Sequence, residues 1–151
     1  MRRIVLILLG SVVLLSACQD SKQQEAEVML KKADQLFRER QYDRALITID
    51  SLRKVYPGAI ETRKQALRLQ QDIELKRSQE ELAVVDSVLQ IVRRDYEEQK
   101  QEVEKDKEAL RATAEELTRL TRTRVRRDSL QTRYDVLCAK IRYIHKKQKE
   151  N

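Results

Sequence analysis

Pro57-Gly58 holds the only proline of the 151-residue chain and, apart from Gly10, its only glycine. Proline breaks a helix interior and glycine weakens it by about 1 kcal/mol, so a chain with almost none of either has little to stop helices from running on. Glu, Lys, Arg, Gln, Leu and Ala dominate the rest, and these are the favoured helix formers. The one strand-like signal is a short Thr/Arg/Val stretch at 118–125. There is no tryptophan, and Phe37 is the only phenylalanine, so little volume is available for a thick core. The expectation is an all-α chain with a thin helix-on-helix core.

The first segment stands apart. Met1-Arg2-Arg3 is basic, and residues 4–15, IVLILLGSVVLL, form an uncharged apolar run of 12. A membrane-spanning helix needs ~20 such residues, so this run has the length of a signal-peptide apolar region behind a charged start. Ser16 and Ala17 follow, then Cys18. Leu15-Ser16-Ala17-Cys18 resembles the bacterial lipobox, Leu-[Ala/Ser]-[Gly/Ala]-Cys. That resemblance implies a lipoprotein signal peptide over 1–17, cleaved between Ala17 and Cys18. It also implies diacylglycerol on the Cys18 sulfur, with the new amine open to acylation. Each buried methylene of such chains contributes ~0.8 kcal/mol, and two or more chains anchor where one is marginal. Gln19 follows the cysteine where Asp would stand in a retained lipoprotein, which by analogy with enteric sorting implies the outer membrane. No cofactor other than these covalent lipid chains is expected.

Residues 18–151 would form the mature chain, with 30 basic and 25 acidic residues in interspersed order. Residues 18–24 read as the lipidated cysteine and a short tether. With Cys18 modified, Cys138 has no intrachain partner, which leaves it open to pairing between chains or to a plain apolar role on a helix face.

Ser21-Lys22-Gln23-Gln24 fits a capping box at a helix start. Met29, Ala33, Leu36 and Phe37 recur at helical spacing, and Ala45, Leu46, Ile49, Leu52 and Tyr56 do so after Tyr42. Pro57 stops this second helix. The hairpin over 25–58 resembles one tetratricopeptide repeat, with small Ala33 and Ala45 where the helices approach and Pro57 at the closing position. Shifting by the 34-residue repeat finds no second copy. A lone repeat cannot bury its own face, so the segment bearing Ile60, Ala66, Leu67, Leu69 and Ile73 is expected to cover it. The resemblance implies a concave face suited to an extended peptide.

Residues 59–148 read as a long helix and coiled coil, with 149–151 a polar tail. A single helix from Ala59 to Leu110 would span ~78 Å. Leu82, Val85, Leu89, Val92, Tyr96, Val103, Leu110, Leu117 and Leu120 follow a heptad ladder, with Gln99, Asp106 and Thr113 as polar gaps. A second ladder, Leu130, Tyr134, Leu137, Ile141 and Ile144, is out of phase with the first. A break near 111–129 is therefore expected, at Thr113-Ala-Glu-Glu116 or at Asp128-Ser129, both of which carry capping residues. The favoured arrangement returns 130–148 antiparallel along the long helix; the other is an extended helix that pairs with a second chain.

Charge is unevenly placed. Residues 97–108 hold six acids and three bases, and 117–127 hold five arginines and no acid. Arg119, Arg122, Arg124, Arg126 and Arg127 are candidates for binding anionic envelope components, or form a solvated face pairing loosely with the acidic run. An exported chain has no call for nucleic acid. Catalytic residues are not identified: His145 is the only histidine, in a basic tail, and no His/Cys spacing suits a metal. Phosphate loops and nucleophile elbows are missing. As a whole the chain resembles the short helical lipoproteins of Bacteroidetes, an impression strengthened by residues 61–75, ETRKQALRLQQDIEL. The expectation is a non-enzymatic envelope lipoprotein with an unidentified protein partner, an oligomeric rod or spacer, or a polyanion binder.

Overall fold

The computed structural model describes residues 21–150. They form four helices: α1 over 21–38, α2 over Tyr42–Val55, α3 over Ile60–Glu108 and α4 over Ala114–Glu150. No strand occurs among the described residues. The signal segment, Ala17 and Cys18 lie outside them.

The chain divides into two compact units, one ending at Glu74 and the other starting at Leu75, inside α3. In the first, α1, α2 and the start of α3 enclose a small core. Ala33, Leu36, Ala45, Ile49, Leu52, Ala66 and Ile73 are buried together, with Met29, Leu30, Phe37, Tyr42, Leu46 and Leu69 packed around them. Ala33, Ala45 and Ala66 are small enough to let the backbones approach, while Ile49, Leu52 and Ile73 supply most of the apolar area. Full burial of each such aliphatic stabilises by roughly 1.5–3 kcal/mol. The covering helix uses a face one residue away from part of the expected one. Ala59, Thr62, Ala66 and Ile73 turn inward, whereas Ile60 is exposed and Leu67 borders on exposed. Thr62 is accommodated because Gln23 donates a 2.7 Å hydrogen bond to its hydroxyl. Tyr56 and Glu25 join the end of α2 to α1 at 3.1 Å. The α1–α2 turn closes without glycine: Gln41 N–H reaches back to Leu36 C=O and Arg40 N–H to Phe37 C=O, both at 2.9 Å, with Arg40 left-handed at φ 60°.

In the second unit α3 turns back into α4 as an antiparallel pair. Ser78, Leu82, Val85, Leu89, Val92, Tyr96, Gln99 and Val103 form the inward seam of α3, all buried or half-buried. The facing seam of α4 is Leu120, Thr123, Arg127, Leu130, Tyr134, Leu137, Ile141 and Ile144. Both alternate steps of three and four, as an apolar coiled-coil seam does. Thr123 donates to Gln99 at 3.0 Å, so the polar gap in one helix is satisfied by the other.

Several details depart from the sequence expectations. The break falls at residues 109–113, at the leading edge of the 111–129 window, and Asp128-Ser129 lie inside α4. Leu110 is no rung of the ladder: it takes the left-handed conformation at φ 56° and is 95% exposed. Leu120 belongs to the ladder of α4, continued to Leu130 by Thr123 and Arg127. Residues 118–125 are helical. Their threonines bond back along the helix, Thr118 to Ala114 C=O and Thr121 to Leu117 C=O at 2.8 Å each, which satisfies the hydroxyls without a strand. Ser21 is already helical, which shortens the 18–24 tether, and α4 continues through Lys149 and Glu150 of the expected tail.

Candidate functional site

The arginine-rich part of α4 is the most distinctive charged surface of the second unit. Its helix starts at a reciprocal cap. Thr113 N–H donates to the Glu116 carboxylate at 2.8 Å, and Glu116 N–H donates to Thr113 Oγ1 at 3.2 Å. The Thr113 N–H and hydroxyl, with a smaller contribution from the Arg119 charge, hold the Glu116 carboxyl below its ordinary range.

Helical periodicity then separates the five arginines. Arg127 turns into the seam, where its guanidinium lies over the Tyr96 ring at 4.1 Å and forks onto the Asp128 carboxylate at 2.9 and 2.7 Å. The Asp128 hydrogen bond raises the Arg127 pKa above its usual value. Arg119 reaches across to Glu102 at 3.5 Å. Arg124 is exposed away from both. Arg122 and Arg126, one turn apart, share an open groove of about 520 Å³ with Val88, Thr121, Val125, Ser129 and Leu130. Two neighbouring guanidiniums beside aliphatic side chains can hold a carboxylate or phosphate whose carrier is partly apolar. The groove brings two of the five arginines together beside apolar side chains. The helical-wheel positions of the arginines carried this signal in the sequence; their proximity along the chain did not.

The other singled-out residues lie elsewhere. Cys138 is half-buried beside Tyr134, whose hydroxyl it pushes up in pKa, first by its charge and then by a hydrogen bond, with Asp86 adding and Arg93 opposing. His145 is exposed on α4. Near the start of α1, Lys22, Gln23, Val55, Tyr56, Pro57, Gly58 and Ala59 line a hollow of about 310 Å³. Among the described residues no group of three or more His, Cys, Asp or Glu is placed to hold a metal ion, and no helix is long and apolar enough to cross a membrane. Comparison with protein-family models, curated proteins and solved structures finds no match for this chain.

Proposed function

We propose that this chain is a lipid-anchored lipoprotein of the bacterial envelope, on the outer membrane, acting as a non-enzymatic protein-interaction module. The observation that carries the reading is Leu15-Ser16-Ala17-Cys18 behind a basic start and a 12-residue apolar run. Cys18 is the attachment point, and cleavage falls between Ala17 and Cys18. The anchor presents two helical units to a partner. The first reads as one tetratricopeptide-like hairpin, supported by the full burial of Ala33 and Ala45 and by a third helix over its open face. The second offers the groove beside Arg122 and Arg126.

Metabolic labelling with a tagged fatty acid tests the anchor. The full chain takes up label and the Cys18→Ser chain does not; an unlabelled full chain overturns the reading. Crosslinking in the native cell, followed by mass spectrometry, identifies the partner.

A second reading, an oligomeric coiled-coil spacer, is favoured by aliphatic side chains left exposed beside the α3–α4 seam. Val84, Ile91 and Val136 are each about half exposed or more. Here the module's partner would include other copies of the same chain.

A further inference from the structure

The two flanks of the α3–α4 seam differ. On one flank, polar and charged residues alternate: Asp86, Arg93 and Lys100 on α3, Arg124 and Gln131 on α4. Arg93 bonds Gln131 across it. On the other, Val84, Val88 and Ile91 follow one another at helical spacing on α3, and Val136 stands on α4; Val84, Ile91 and Val136 are 64%, 49% and 60% exposed. The Glu81–Arg133 ion pair at 2.6 Å and the groove joining Val88 to Arg122 and Arg126 put these residues on one side. Scattered exposed aliphatics are ordinary, but a one-sided row along a helix pair marks a candidate docking face.

This face carries opposite charges along its two edges. Beyond Ile91 the α3 edge is acidic, with Asp95 and Glu98 exposed. The α4 edge is basic, with Arg122 and Arg126 exposed. Gln99 faces Thr123 and Tyr96 faces Arg127, which sets the register of this part of the hairpin. On that register Val84 stands within a turn of Val136, Asp95 within a turn of Arg126, and Glu98 within a turn of both Arg122 and Arg126.

We infer that this face docks onto the same face of a second copy of the chain, about a two-fold axis parallel to the helices. That operation preserves level and lays α3 of one copy on α4 of the other. Val84 of each copy then meets Val136 of the other, and Asp95 and Glu98 meet the second copy's Arg122 and Arg126. The contact is self-complementary, as a closed two-fold interface must be, and makes a four-helix arrangement. An anionic membrane surface would match the basic edge and be repelled by the acidic one; a second copy matches both. The inference rests on reading the chain as an interaction module, and names one partner.

The test uses the full chain in membranes, with Cys138→Ser and paired Val84→Cys and Val136→Cys substitutions, oxidised and resolved without reductant. Disulfide-linked dimer should be several-fold more abundant than for either single cysteine. Glu98→Arg and Arg122→Glu should each lower that yield several-fold, and the two together should restore it. Val84, Glu98, Arg122 and Val136 are exposed, and the half-buried Cys138→Ser change is common to every chain compared. Dimer no more abundant than in the single-cysteine chains, or no recovery in the double reversal, overturns the inference and leaves the face to another occupant. A fatty-acid-labelled chain that fails to crosslink sinks self-docking alone; an unlabelled chain that crosslinks sinks the anchor alone.

Discussion

The Arg127 guanidinium rests 4.1 Å from the centre of the Tyr96 ring, so a cation from α4 closes the seam over an aromatic from α3. Asp128 supplies the counter-charge at the rim. A cation over an aromatic face contributes ~0.5–1 kcal/mol when exposed and more when desolvated. Glutamine keeps a polar side chain without the cation. In a double-mutant cycle of Arg127→Gln and Tyr96→Leu, urea unfolding should give a coupling of about 0.5–1 kcal/mol. Strict additivity would show that the stack contributes nothing.

The turn between α3 and α4 stores removable strain. Arg111 N–H bonds Asp106 C=O at 2.7 Å and Leu110 N–H bonds Lys107 C=O at 3.0 Å, the pattern that places Leu110 where glycine usually stands. A left-handed side-chain-bearing residue costs roughly 1–2 kcal/mol, partly offset by the freedom glycine gains in the unfolded chain. Leu110→Gly loses no buried area and should stabilise by about 0.5–1 kcal/mol in urea unfolding. Destabilisation would mean that the exposed leucine is held by a contact.

This turn also shows where sequence reading stops. Pro57 marks the end of α2 openly, and the core spacing of Ala33, Leu36, Ala45 and Ile49 is plain. Val103, Leu110 and Leu117 are seven apart, however, so a heptad reading runs straight through a turn that contains neither proline nor glycine. The ladder of α4 is hidden for the converse reason: Thr123 and Arg127 occupy seam positions and do not look apolar. Arg127 is the clearest loss, since a charge in a basic run gives no hint that Tyr96 receives it. Arg122 and Arg126 were legible as residues, but their groove depends on Val88 from another helix. Cys18 rests on its motif alone, outside the described residues.

The cap at Thr113 gives α4 a pH dependence. Glu116 has a lowered carboxyl pKa because it accepts from Thr113 N–H and bonds the Thr113 hydroxyl through the cap. A depressed acid stabilises fully above the unfolded glutamate value of ~4.3 and loses that contribution as pH falls through the folded value. The full chain should therefore exceed Glu116→Gln in melting temperature near neutral pH, and the gap should close on acidification below the ordinary glutamate range. Thr113→Ala should cost about 1 kcal/mol near neutral pH. A gap between the full chain and Glu116→Gln that widens in acid would contradict the assignment.

Core and surface of the first unit should respond differently to the same truncation. Ile49 is fully buried among Ala33, Leu52 and Ile73, whereas Ile47, two residues away on α2, is mostly exposed. Ile49→Ala should destabilise by about 2–5 kcal/mol. Ile47→Ala should stay within about 0.5 kcal/mol. Equal losses in urea unfolding would show that the three-helix core is drawn wrongly.

The lipid on Cys18 can be read from the intact mass of the chain recovered from bacterial membranes. The expected species begins at Cys18 and is heavier by a thioether-linked diacylglycerol, with any further acyl chain on the amine. A chain that keeps Met1, or one whose Cys18 retains a bare thiol, would contradict it.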